Sequence, residues 1–271
     1  MKRFYLQGAG LRLSCLDYGG EGSPPILFIH GGAAHAHWWD FVGQALSGRP
    51  RSFSIDLRGH GDSDRPADGD YSIEAHVADL AAALKSWTYG KPVLAAHSGG
   101  CFAALPYAAA HPDSVAAVAI VEPRIHWPPE LLERASRRND RPHRRFATLE
   151  EAVASYRFIF PPIGATAEVL AHVARHSFRQ EPDGAWVNKT ERMSMAGIFN
   201  IPVMEYAARL RCPVLVVRGD QSVHLLEEDA LQLTTVAHAE PAVVISHAQH
   251  NVMLDNPPEV AAALRRFVAA L

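Results

Sequence analysis

The sequence predicts an α/β protein: an eight-stranded, mostly parallel sheet with helices on both faces and a helical cap inserted between the sixth and seventh strands. Three observations carry this expectation. Short β-rich runs alternate with stretches of helical period, the rhythm that builds a parallel sheet through crossover helices. Most strand candidates are continuous apolar runs, as strands covered on both faces should be, where a half-exposed strand would alternate. The rhythm lapses between roughly Arg124 and Arg211 and then resumes. At 271 residues the chain is near the upper size for a single hydrophobic core, so one domain carrying an inserted subdomain is expected in place of two independent units.

The first two strands, near Arg3 to Leu6 and Leu11 to Asp17, are expected to pair antiparallel through the Gly8-Ala9-Gly10 turn. The buried parallel strands follow at Ile26 to Ile29, Ser52 to Ile55, Val93 to Ala96, Val115 to Val121, Val214 to Val217 and Ala242 to Ile245. Between them, Ile73, Val77, Leu80 and Leu84 mark a helix capped by Ser72. Val260, Leu264, Phe267 and Leu271 mark a closing helix after Pro257-Pro258. In the lapse, Pro-Pro pairs at 128 to 129 and 161 to 162 punctuate helical stretches. The expected organisation is therefore core over 1–123, helical cap over 124–211 and core again over 212–271. Six arginines between Leu131 and Arg145, at 134, 137, 138, 141, 144 and 145, are expected to form a solvated surface or linker and not a site for an acidic substrate.

Composition narrows the function classes. With 48% hydrophobic and 20% charged residues the chain is an ordinary globular protein, and disorder is excluded as its main state. A formal charge of -3 gives no electrostatic reason to expect nucleic acid or an anionic membrane as partner. Cys15, Cys101 and Cys212 are widely spaced and odd in number, so neither a disulfide framework nor a zinc-ligand spacing is visible, and a reducing cytoplasm fits. Lys2 and Arg3 open the chain, but Gln7, Gly8, Gly10 and Arg12 interrupt what would have to be an apolar signal core. Apolar runs such as Val115 to Val121 fall far short of the ~20 residues of a membrane span.

The chemistry centres on the run Pro92-Val93-Leu94-Ala95-Ala96-His97-Ser98-Gly99-Gly100-Cys101. A short apolar strand breaks there at a serine boxed by small residues, and a helix-like stretch follows. Such a turn forces the serine into a strained backbone, and residues two positions either side must be small because strand and helix approach closely. Gly100 meets the demand fully and Ala96 nearly. Acyl transfer also needs a base, an acid to orient it, and N–H donors where an oxyanion forms. The backbone amides of Gly99 and of Gly32, in His30-Gly31-Gly32-Ala33-Ala34, are the expected donors. Both His247 and His250, after the last strand, are candidates for the base.

Over nearly its whole length the chain resembles the α/β-hydrolase superfamily. Four features carry the resemblance: His30-Gly31-Gly32 after a strand, Asp56-Leu57-Arg58-Gly59-His60-Gly61-Asp62-Ser63 after the next, the elbow at Ser98, and His250 before a terminal helix. It implies His250 as the base in place of His247, a serine–acid–histidine mechanism, and a scaffold role for the turn from Asp56 to Ser63. The superfamily commonly places its acid three residues past a glycine after the seventh strand. Here Gly219-Asp220-Gln221-Ser222 puts a serine at that station. Haloalkane dehalogenases and zearalenone lactonases instead take the acid from the end of the sixth strand, which here reads Ala119-Ile120-Val121-Glu122-Pro123. Glu122 is thus the expected acid, with Asp220 the alternative.

A serine nucleophile favours acyl chemistry over dehalogenation. The resulting expectation is a cofactor-independent serine hydrolase of the carboxylesterase or lactonase type. Its substrate would be a small ester or lactone with an apolar part, contacted by Trp39, Arg124 and Trp127. Rival readings on the same fold are a carbon-carbon bond hydrolase and a perhydrolase or acyltransferase; one of another class is a non-catalytic ligand-binding or receptor protein. A metal site from His30, His35 and His37, considered because the chain holds 15 histidines, is not expected, since no carboxylate or cysteine stands at a recognised ligand spacing.

Overall fold

The computed structural model describes residues 1–46, 48–126, 142–191, 194 and 201–271. Strands β1 (Lys2–Gln7), β2 (Arg12–Gly19), β3 (Ile26–Ile29), β4 (Ser52–Ile55), β5 (Val93–His97), β6 (Ala117–Val121), β9 (Val214–Gly219) and β10 (Val243–Ile245) form one eight-stranded sheet in the order β1-β2-β4-β3-β5-β6-β9-β10. β1 pairs antiparallel with β2, and β2 with β4. From β4 to β10 every neighbour is parallel.

β3, β4, β5 and β6 are buried along their entire length; β3 and β6 are accordingly apolar throughout, while β4, Ser-Phe-Ser-Ile, alternates although both its faces are covered. Successive side chains face opposite sides of the sheet and feed two separate cores. Leu27 and Ile29 join one cluster, with residues of α2 (Ile73–Lys85), α3 (Cys101–Ala110), α6 (Val203–Ala208) and α7 (Glu227–Val236). Ile26 and Phe28 join the other, with α1 (Asp40–Leu46), α8 (Val252–Asp255) and α9 (Pro257–Ala269). The two clusters are the two helical layers. Ser72 caps α2 as its sequence predicts, its hydroxyl accepting from the Ala75 amide at 3.2 Å.

Between β6 and β9 the chain leaves the sheet. The described part contains α4 (Leu149–Ser155), α5 (Ala167–His176) and α6, together with an antiparallel hairpin of β7 (Phe178–Gln180) and β8 (Trp186–Asn188). Helices alone were expected there. The hairpin is short and turns at Gly184, whose φ is +88°. α6 packs as part of the core layer, with Ile201, Val203 and Ala207 buried in the same cluster as α3. Trp127, Phe199 and the arginines at 134, 137, 138 and 141 lie outside the described residues. Among the described residues no helix is long and apolar enough to cross a membrane.

Candidate active site

β5 ends at His97, and Ser98 follows with φ of +48°, the left-handed conformation that an elbow imposes. The small neighbour at position 100 has a direct cause: a Cβ added to Gly100 would meet the His30 carbonyl oxygen at 2.5 Å. At Gly31 a Cβ would sit 3.1 Å from the Ser98 Cβ, so the loop after β3 runs directly against the elbow. That closeness sets the Gly31 backbone against the serine, with Gly32 next along the loop; Gly99, which follows the serine, is buried.

His250 sits in the loop between β10 and α8. Its Nε2 accepts from the Ser98 hydroxyl at 2.9 Å. Its other nitrogen, Nδ1, faces Oε2 of Glu122 at 3.4 Å, a long hydrogen bond of the kind that tightens as charge develops. His97, inside the elbow, holds the loop from below by donating from Nε2 to the His250 carbonyl at 2.8 Å. His247 is exposed, with φ of +53°, and is not part of this cluster.

Glu122 is completely buried directly after β6, at φ of +47°. Its Oε1 accepts the Gly219 amide at 2.7 Å and its Oε2 accepts the Ser222 hydroxyl at 2.7 Å. The serine at the usual acid station therefore donates to the Glu122 carboxylate. Burial pushes the Glu122 carboxyl up to about 7, while the Gly219 and Ser222 donors pull it back toward the charged form. Burial, with the Arg124 charge second, lowers His250 to about 3, so the imidazole is neutral and able to accept a proton. Asp220 is exposed, and its Oδ1 accepts the Ala248 amide at 3.0 Å; it braces the histidine loop from outside.

Beside His250 stand Arg124, His224 and Phe160; the sequence offers Arg124 and, among several aromatics, Phe160 as pocket candidates, but not His224. The His224 ring lies 4.6 Å and the Phe160 ring 5.0 Å from that of His250, centroid to centroid. Arg124 donates to Nδ1 of His224 at 2.5 Å and places its guanidinium carbon 5.2 Å from the Phe160 centroid. His126 points elsewhere, exposed and paired with Asp229 at 2.9 Å.

Trp39 corrects one expectation. It is 0% exposed and stacked on Phe28, with ring centroids 4.6 Å apart and planes 10° from parallel, so it offers no surface to a substrate. The sequence around it gives no sign of this, because burial depends on how the turn at Ala36–Trp39 settles over β3. The segment from Asp56 to Ser63 keeps the scaffold role expected of it. Buried Asp56 accepts the amides of Ala36 and Asp62 at 2.7 and 3.0 Å, and His30 accepts that of Leu57 at 3.0 Å.

The model of the alpha/beta hydrolase fold family matches residues 24–159, half of the chain, and the chain belongs to that family. Two curated relatives span most of its length. The esterase Rv0045c of Mycobacterium tuberculosis is 28% identical over 90% of this chain and 82% of its own. The 2-(acetamidomethylene)succinate hydrolase of Mesorhizobium japonicum is 28% identical over 92% of this chain and 90% of its own. Among solved structures, an E-2-(acetamidomethylene)succinate hydrolase covers 99% of both chains with a TM-score of 0.84 at 22% identity, a likeness of fold. Family and relatives together support a hydrolytic enzyme.

Proposed function

We propose that this chain is a serine hydrolase that cleaves a carboxylic ester or lactone through an acyl-enzyme on Ser98. The observation that carries the reading is the 2.9 Å contact of the Ser98 hydroxyl with Nε2 of His250, whose other nitrogen faces buried Glu122. His250 takes the serine proton as Oγ attacks the carbonyl carbon. The amides of Gly32 and Gly99 then hold the oxyanion. Glu122 keeps the Nδ1–H tautomer and stabilises the imidazolium. His250 returns the proton to the leaving alkoxide, and water, deprotonated by the same imidazole, releases the acyl group. The insertion ahead of α6 acts as a cap, ending short of the expected residue 211 because α6 belongs to the core layer, and Phe160 supplies an apolar wall beside the base.

Arg124 and His224 give that wall a cationic, hydrogen-bonding rim, which suits an ester carrying a carboxylate near the scissile bond. Charge-assisted hydrogen bonds of this kind are worth about 1.5–3 kcal/mol. Arg124→Ala is therefore expected to raise KM by roughly 10- to 100-fold for a p-nitrophenyl hemisuccinate and only about twofold for p-nitrophenyl butyrate. Steady-state kinetics on both esters checks it. Equal losses on the two would remove Arg124 from substrate recognition.

A second reading is favoured by the relative named as a 2-(acetamidomethylene)succinate hydrolase. It keeps the site and changes the bond, to an amide or carbon-carbon bond in a small dicarboxylate. Product analysis over a panel of carboxylated esters, amides and diketones separates the two, since only one bond class will turn over at an enzymic rate.

A further inference from the structure

Outside the Ser98–His250–Glu122 cluster, three histidines converge from two elements. His37 comes from the turn at Ala36–Trp39; His172 and His176 come from α5, four residues apart and hence on one helical face. One ring nitrogen of each lies within 4.8 Å of those of the other two. We propose that His37, His172 and His176 form a binding site for a divalent transition-metal ion of the zinc class, supported by Asp40.

Imidazole is the natural ligand for such ions, and a pair of histidines at i and i+4 of a helix is a spacing that chelates them. Metal-bound histidines characteristically donate their second N–H to a carboxylate, which fixes tautomer and orientation. Asp40 is placed for that role. Fully buried, it accepts from His37 Nδ1 at 2.8 Å and from His172 Nε2 at 2.7 Å, both through Oδ2. His172 is thereby left with Nδ1 as a lone-pair donor, while the second nitrogen of His37, Nε2, accepts from Arg3 at 3.1 Å. A third hydrogen bond, from the Tyr18 hydroxyl to Oδ1 at 2.8 Å, anchors the carboxylate. His172 and His176 are only partly buried, so an ion can enter from solvent.

Three features must give way. The His37 and His176 rings are stacked at 3.7 Å and 14°, and parallel rings cannot both point a lone pair at one ion. His176, the less buried of the two, is the ring that turns. A tetrahedral ion also needs nitrogens roughly 3.3 Å apart, from metal–nitrogen bonds of about 2.0–2.1 Å, so the rings close inward. Arg3 must release His37 Nε2, and Asp62, which binds both Arg3 and Lys189, is the partner it keeps; that one carboxylate balances one of the two charges. The site differs from the trio His30, His35 and His37 set aside in the sequence, because the second and third ligands come from α5. An ion here would staple that helix, and with it the insertion, to the turn that follows the Gly32 loop.

The test uses the full, untagged chain, stripped with chelator, and adds cobalt(II) or zinc(II) chloride. The expected results are a visible d–d absorption with cobalt at one equivalent, a thermal midpoint several degrees higher with zinc, and displacement of cobalt by zinc. His172→Gln/His176→Gln, altered on a partly exposed helix face, should weaken binding by about 100-fold or more, and Asp40→Asn by about 10- to 100-fold. If Asp40→Asn fails to fold, the double variant alone decides. Either of two results overturns the site: a wild-type chain that gives neither absorption nor thermal shift, or a double variant that binds as tightly as wild type.

Discussion

Ser98→Ala is expected to lower kcat by about 10⁴- to 10⁶-fold while the protein remains folded. The size follows from what is removed. Without Oγ no acyl-enzyme can form, and the residual rate is what oxyanion donors and a bound water supply. Alanine keeps the Cβ and is no worse than serine at the φ of +48° found here. The lost hydrogen bond to His250 lies at a half-buried position that water reaches, so the stability change should stay within about 1 kcal/mol. Steady-state kinetics with a thermal melt checks both halves. A variant that unfolds says nothing of Oγ, and Ser98→Gly, with its freedom at positive φ, then replaces it.

The second large effect is expected at Glu122. Glu122→Gln should lower kcat by about 10²- to 10⁴-fold, whereas Asp220→Asn should stay within about threefold of wild type. Three donors converge on the Glu122 carboxylate: the Gly219 amide, the Ser222 hydroxyl and the His250 ring. A glutamine offers them one oxygen, and its NH₂ turned toward Nδ1 selects the tautomer that cannot take the serine proton. Asparagine at 220 still accepts from Ala248. The pH profile adds a sign. Burial raises the Glu122 carboxyl to about 7, so as the pH falls through that region the Glu122–His250 pair takes up a proton and loses the charge that holds the imidazole. Activity is thus present above about 7 and declines below it, and in Glu122→Gln this limb should vanish from the residual rate. Asp220→Asn abolishing turnover while Glu122→Gln preserves it would reverse the assignment.

How much of this was legible in the sequence depended on what fixed each feature. Strands buried on both faces announce themselves best as unbroken apolar runs, as Ile26–Ile29 does; Ser52–Ile55 also falls where the sequence puts it, although serines interrupt it. Edge elements do not. β10 begins one residue later than expected, and the β7–β8 hairpin, three residues a side, is too short to show a period. At the site, Ser98 and His250 were visible because the elbow and the chain order are local patterns. Glu122 emerged as a candidate from a departure, the serine at position 222, but that Ser222 donates to Glu122 depends on how the loop after β9 folds back, which no local pattern encodes. His224 was missed because a loop brings it to the base, and a loop's path is decided by packing; Phe160 was one of several candidate aromatics with nothing local to set it apart. Trp39 failed for the same reason in reverse, since a tryptophan stacked under a turn and one lining a pocket look alike in sequence.

The most direct test of the acyl-enzyme account is covalent labelling with a fluorophosphonate, followed by intact-mass measurement and peptide mapping. The predicted result is a single adduct on the peptide carrying Ser98, formed in step with loss of esterase activity, absent from Ser98→Ala and strongly slowed in Glu122→Gln. A protein that hydrolyses esters while resisting the reagent, or that carries the label on another residue as its activity disappears, would contradict the account.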